Sequence, residues 1–104
     1  MTSSEPVLHL IAGPNGAGKT TLATRVIAPV THLPFVNADV IAEQRWPAAQ
    51  AEHAYQASEA AAEQRRELIA AGRSFIAETV FSHASKLAVI RETQSVGYHV
   101  YLHV

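Results

Sequence analysis

A chain of 104 residues with eight Lys and Arg against nine Asp and Glu has room for one domain and no large excess of either charge. The near balance leaves no basic stripe for a dedicated nucleic-acid surface, and the lack of cysteine excludes disulfide frameworks and thiolate metal sites. Hydrophobic content of 48% with 16% charged residues describes a globular chain rather than a disordered one.

Residues 1–6 form a loose tail with no basic stretch leading into an apolar core, so no secretory signal is expected. No apolar run of about 18 residues is present to span a bilayer, and a cytoplasmic protein is the expectation. The apolar run 7–12 predicts a buried strand. Directly after it comes Gly13-Pro14-Asn15-Gly16-Ala17-Gly18-Lys19-Thr20, which meets G-x-x-x-x-G-K-[ST] at every fixed position and is followed by Thr21. Glycine in such a loop lets successive N–H groups turn inward around a phosphate, and the helix that follows aims its positive end at the same point. Lys19 supplies a point charge for the β- and γ-phosphates, and the Thr20 hydroxyl is a ligand for the Mg²⁺ that bridges them. The helix is expected over 19–28, closed by Pro29.

A short second strand is placed at 34–37, then a helix from Asp39 to Trp46 that Pro47 interrupts. The alanine-rich stretch 48–71 favours a long helix ending at Gly72, with Glu59, Glu63, Arg65, Arg66 and Glu67 on a solvated face. Residues 74–80 form the third strand, Ser82 caps a helix over 83–96 that Gly97 ends, and 98–104 form the last strand. Strands alternating with helices imply parallel pairing through right-handed crossovers. The expected fold is therefore a three-layer α/β domain of the P-loop NTPase kind.

Ligands of open parallel sheets bind beyond the carboxyl ends of the strands. The phosphate loop, Asp39 after strand two and Glu78 near the end of strand three all fall there. Asp39 suits a base that accepts the proton of an attacking hydroxyl; as a competing role it caps the following helix. Glu78 either accepts from substrate hydroxyls or sits around the Mg²⁺, unless it is merely a polar strand end. Thr79 and Ser82 offer further hydroxyls, and Asn37 either orients Asp39 or makes a turn. The six histidines, at 9, 32, 53, 83, 99 and 103, show no metal-binding spacing; His99, Tyr101 and His103 share a solvated or lightly covered strand face.

The phosphate loop with Thr21-Leu22-Ala23, Phe35-Val36-Asn37-Ala38-Asp39, Phe75-Ile76-Ala77-Glu78-Thr79 and Gly97-Tyr98 together resemble the zeta toxin family of P-loop kinases. The resemblance implies strand order 2-3-1-4 and transfer of phosphate from ATP or GTP, with Mg²⁺, to a small-molecule hydroxyl such as that of a UDP-N-acetylhexosamine. It implies Lys19 and Asp39 as catalytic groups, residues 13–21 around the nucleotide, Glu78 and Thr79 at the substrate, and an antitoxin protein as possible partner. Val80 stands where the toxins tend to carry threonine. The match covers residues 1–104 as the first half of the family domain, before the lid whose arginines neutralise the transferred phosphoryl group, a contribution of about 10³–10⁵ in rate. Two other readings stand beside the kinase: a fragment that binds MgATP without transferring phosphate, and a nucleic-acid end kinase, which the charge balance disfavours.

Overall fold

The computed structural model describes residues 5–13, 19–80 and 83–103. Four strands, β1 (Val7–Gly13), β2 (Phe35–Val36), β3 (Phe75–Val80) and β4 (His99–His103), form one sheet in the order β2-β3-β1-β4. Every pairing is parallel. The expected α/β architecture and strand order are both present.

Period-two alternation divides the core into two layers. Leu8, Leu10, Val36, Phe75, Ala77 and Tyr98 face α4 (Ala54–Ala70) and α5 (His83–Ser95), where Ala61, Leu68, Ile69, Val89 and Ile90 close over them. The intervening Ile11 and Ile76 point the other way, against Ala23 and Ile27. The three layers are thus α4 and α5, the sheet, and the helix that follows the phosphate loop.

That helix does not stop at Pro29. It runs as α1 (Lys19–Leu22), a π-turn over Ala23–Ile27 and α2 (Ala28–Thr31), with Pro29 inside its last segment. Proline lacks an N–H and its ring collides with the carbonyl four residues back, and the wider π-turn removes that carbonyl from its usual place. The helix ends instead at His32, whose φ of 58° is left-handed, while Thr31 Oγ1 donates to Ile27 O at 2.7 Å.

The two later helices end as their glycines suggest. At Gly72 (φ +65°) the N–H donates to Ile69 O and Arg73 N–H reaches back to Leu68 O; at Gly97 (φ +92°) the pattern repeats to Gln94 O and Thr93 O. Both are Schellman turns, in which a left-handed residue lets the chain recapture carbonyls that the helix leaves unpaired. The long alanine-rich helix begins later than residue 48. After a turn at 47–50 comes a single 3₁₀ turn (Ala51–His53) and then α4, with Trp46 stacked on His53 at 4.5 Å. Arg65 also leaves the expected solvated face: half-buried, it lies 3.8 Å from Glu92 of α5.

On β4, Tyr101 and His103 stack on His9 of β1, and His9 Nδ1 lies 3.1 Å from His103 Nε2. Val104, expected in the last strand, lies outside the described residues. Among the described residues, no helix is long and apolar enough to cross a membrane.

Candidate functional site

The carboxyl ends of the strands gather the expected groups at one edge of the sheet. Gly13 closes β1, and the helix resumes at Lys19 and Thr20, so the two flanks of the phosphate loop sit on a strand end and a helix start. Pro14, Asn15, Gly16, Ala17 and Gly18, the body of the loop, lie outside the described residues, as does Ser82. Thr21, in the first turn, is exposed. Of Gly13, Lys19, Thr20 and Thr79, the backbone positions are described.

Register brings β3 to the same place. Ile11, Ala12 and Gly13 pair with Glu78, Thr79 and Val80, so Glu78 is set two steps before the strand end beside the loop. On its other side Phe35 pairs with Ile76 and Val36 with Ala77. One further step places Asn37 opposite Glu78, and their side chains meet: Asn37 Nδ2 donates to Glu78 Oε1.

Asn37 is the residue whose part the sequence understated. It is 4% exposed and extended in backbone, and its Oδ1 accepts from Val40 N–H at 2.9 Å, so it is the N-cap of α3 (Ala38–Arg45). The capping role weighed for Asp39 belongs to Asn37, because a cap must precede the first helical residue and Asp39 is already the second. One buried amide thus starts the helix that carries Asp39 and restrains Glu78. The signal available in sequence was the pairing of strands 2 and 3, which aligns residues 37 and 78 only once the register is known.

Asp39 itself is exposed in the first turn of α3, where the helix dipole favours a carboxylate. Its carboxylate makes no hydrogen bond or ion pair with Glu78 or any other described residue. It is therefore free to meet a ligand. Glu78 Oε2 is buried without a hydrogen-bond partner, an orphaned acceptor two residues before the carboxyl end of β3. Buried carboxylate oxygens ordinarily find a donor or a cation. Such an atom fits a hydroxyl, a water or a hard cation, and Mg²⁺ takes one or two protein oxygens while phosphates and waters fill the rest of its shell. No group of three or more His, Asp or Glu side chains suited to hold a metal by itself occurs among the described residues.

Between residues 8 and 104 the chain matches the family model described as an AAA domain. The chain belongs to this AAA domain family. No curated protein matches it. Among solved structures, this P-loop domain is similar to a provisionally named kinase of Chloroflexus aurantiacus J-10-fl, at TM-score 0.72 and 17% identity, over 97% of this chain and 59% of that one. It is also similar to a chain from the PezAT chromosomal toxin–antitoxin system of Streptococcus pneumoniae, at TM-score 0.73 and 19% identity, over 98% of this chain and 48% of that one. The likeness is one of fold, and it bears out the resemblance to zeta-toxin-like P-loop kinases. The domain spans about half the length of the structures it matches.

Proposed function

We propose that this domain is an ATP-dependent phosphotransferase with a small hydroxyl compound as acceptor, of the kind the zeta toxin resemblance implies, a UDP-N-acetylhexosamine being one such acceptor. The observation that carries the proposal is the convergence at one sheet edge: the flanks of the phosphate loop, an unpartnered carboxylate at Asp39, and Glu78 held by Asn37 with one oxygen unused. Residues 13–21 would hold the triphosphate, Lys19 would draw charge from its β- and γ-phosphates, and the Thr20 hydroxyl would be the protein ligand of Mg²⁺. When bound, Mg²⁺ supplies charge neutralisation at the phosphoryl oxygens. Asp39 orients the acceptor hydroxyl and takes its proton as oxygen attacks the γ-phosphorus. The bond to the bridging oxygen breaks and ADP leaves with that electron pair. Glu78 and Thr79 steady the acceptor, and GTP can replace ATP as donor.

The reading is tested by incubating the chain with labelled ATP, Mg²⁺ and a panel of sugars and nucleotide sugars. Lys19→Ala is expected to abolish labelled product and the thermal stabilisation by MgATP together. Asp39→Asn is expected to keep that stabilisation and lose product. Product formation that survives Lys19→Ala refutes the mechanism.

A second reading, nucleotide binding without transfer, is favoured by the arginines. Arg25, Arg45, Arg66, Arg73 and Arg91 are exposed and Arg65 faces Glu92, so among the described residues none is committed to the sheet edge. It predicts stabilisation by MgATP with no labelled product beyond background. The toxin–antitoxin origin of one structural neighbour supports an antitoxin protein as partner under either reading.

A further inference from the structure

The sheet has two outer strands. β2 offers only Phe35 and Val36, whereas β4 presents five residues, His99-Val100-Tyr101-Leu102-His103. The devices that usually blunt such an edge, lysine, proline or a bulge, are absent from β4, and its register with β1 runs without a break. Which backbone groups face outward follows from one bond. His99 N–H donates to Pro6 O at 2.9 Å, toward β1, so Tyr101 and His103 turn the same way and the N–H and C=O of Val100 and Leu102 point out from the sheet edge. The phase agrees across the sheet, since Val7, paired with His99, sends its own N–H the other way, to Ser74 Oγ at 2.8 Å. Among the described residues nothing bonds to the outward groups of Val100 and Leu102.

We propose that this edge pairs with β4 of a second copy of the chain, antiparallel about a two-fold axis at Tyr101. The strand's own sequence selects that partner. It reads nearly the same in both directions about Tyr101: histidine, aliphatic, tyrosine, aliphatic, histidine. A copy run antiparallel therefore sets His99 against His103, Val100 against Leu102 and Tyr101 against itself. Opposed residues in an antiparallel pair must share one phase, and this register meets the condition. Val100 and Leu102 exchange N–H and C=O with Leu102 and Val100 of the second copy, while the two Tyr101 residues form a closer unbonded pair at about 4.5 Å between Cα atoms. No other centre pairs all of β4 with itself. The side chains suit the contact as well. Leu102 and Tyr101 are 43% and 48% exposed, no Asp, Glu, Lys or Arg lies on the strand, and the Tyr101 ring is already held against His9 at 5.1 Å, so docking costs it little freedom. No residue of β4 belongs to the candidate site, so the pairing is independent of the kinase reading.

Sedimentation equilibrium of the 104-residue chain is expected to show monomer and dimer and no larger species, because two-fold pairing uses up the edge it joins. Tyr101→Lys sets two ammonium groups face to face across the axis, and Leu102→Pro removes an outward N–H while sparing the bonds to β1; each is expected to weaken the dimer about tenfold or more. The lack of cysteine in the chain allows a register test that does not depend on those variants folding well. Tyr101→Cys alone is expected to cross-link under mild oxidation, since its copy lies directly opposite, whereas His99→Cys alone, about 14 Å from its copy along the strands, is not. His99→Cys mixed with His103→Cys is expected to restore the link. Three results overturn the inference. They are a wild-type chain still monomeric at about 1 mM, where even a pair of millimolar Kd is half formed; a dimer that both edge variants leave at full strength; and His99→Cys linking to itself more readily than Tyr101→Cys.

Discussion

Replacing Asn37 with alanine removes two hydrogen bonds that serve different elements. The lost N-cap of α3 costs about 1 kcal/mol, and leaving Glu78 Oε1 without its donor, next to an Oε2 already unpartnered, costs about 1–3 kcal/mol. The expected total is about 2–4 kcal/mol, which at about 4–8 °C per kcal/mol in a domain of this size lowers the melting midpoint by about 8–30 °C. Urea titrations of wild type, Asn37→Ala, Glu78→Gln and the double variant separate the two contributions. The cycle is expected to give a coupling of about 0.5–3 kcal/mol between residues 37 and 78. Asn37→Asp adds an independent reading. It keeps an oxygen to cap α3 but sets a carboxylate against a carboxylate, and this repulsion favours the protonated pair in the folded state. The variant is therefore expected to be weakest near pH 7 and to recover toward wild type as the pH falls. Additivity within about 0.3–0.5 kcal/mol, or an Asn37→Asp chain indifferent to pH, would refute the claim that residue 37 holds Glu78.

Tyr98, 5% exposed, donates through its hydroxyl to Arg73 O at 2.6 Å and Leu68 O at 3.1 Å, tying β4 to the turn that ends α4. Burial pushes its phenol pKa up, in keeping with a hydroxyl that stays protonated. Tyr98→Phe is expected to cost about 1–2 kcal/mol in urea unfolding, because Arg73 O loses its donor while the ring still packs on Phe75. His9 gives a pH dependence. Desolvation, with His103 adding to it, pulls its pKa below the ordinary 6.5. The unfolded chain then binds a proton more readily than the folded one, so stability is full above about pH 6.5 and is lost as the pH falls below it. His9→Gln is expected to flatten that part of the stability profile, as measured by thermal melts between pH 5 and pH 8.

Much of this architecture could be read in the sequence, because its signals are local. Apolar runs with period-two alternation mark β1 and β3, and a glycine just past each long helix marks its end. The strand order came with the family resemblance and agrees with the pairings. What escaped depends on groups distant in sequence. Pro29 suggests a stop, and only the backbone around it reveals that a π-turn makes room for its ring. Arg65 looks like one of several surface charges until α5 brings Glu92 alongside. The sequence offers Asp39 as a cap and Asn37 as a turn or an orienting group, and that the cap is Asn37 depends on where β2 releases the chain. The cleft between α3 and α4, lined by Ala42, Ala54 and Ala57 among others, is a matter of helix separation, which alanine content permits and does not determine.

The second strand is the least anchored part of the sheet. It contributes two residues at an edge, paired on one side only, and α3 with Asp39 hangs from its end. Such a peripheral unit opens at lower cost than the centre of the fold, as sub-global unfolding generally does. Because Asn37 Oδ1 caps the helix while its amide grips β3, an opening that breaks the grip also loosens the first helical turn. The amide of residue 37 is a rivet common to two elements, β3 and the start of α3.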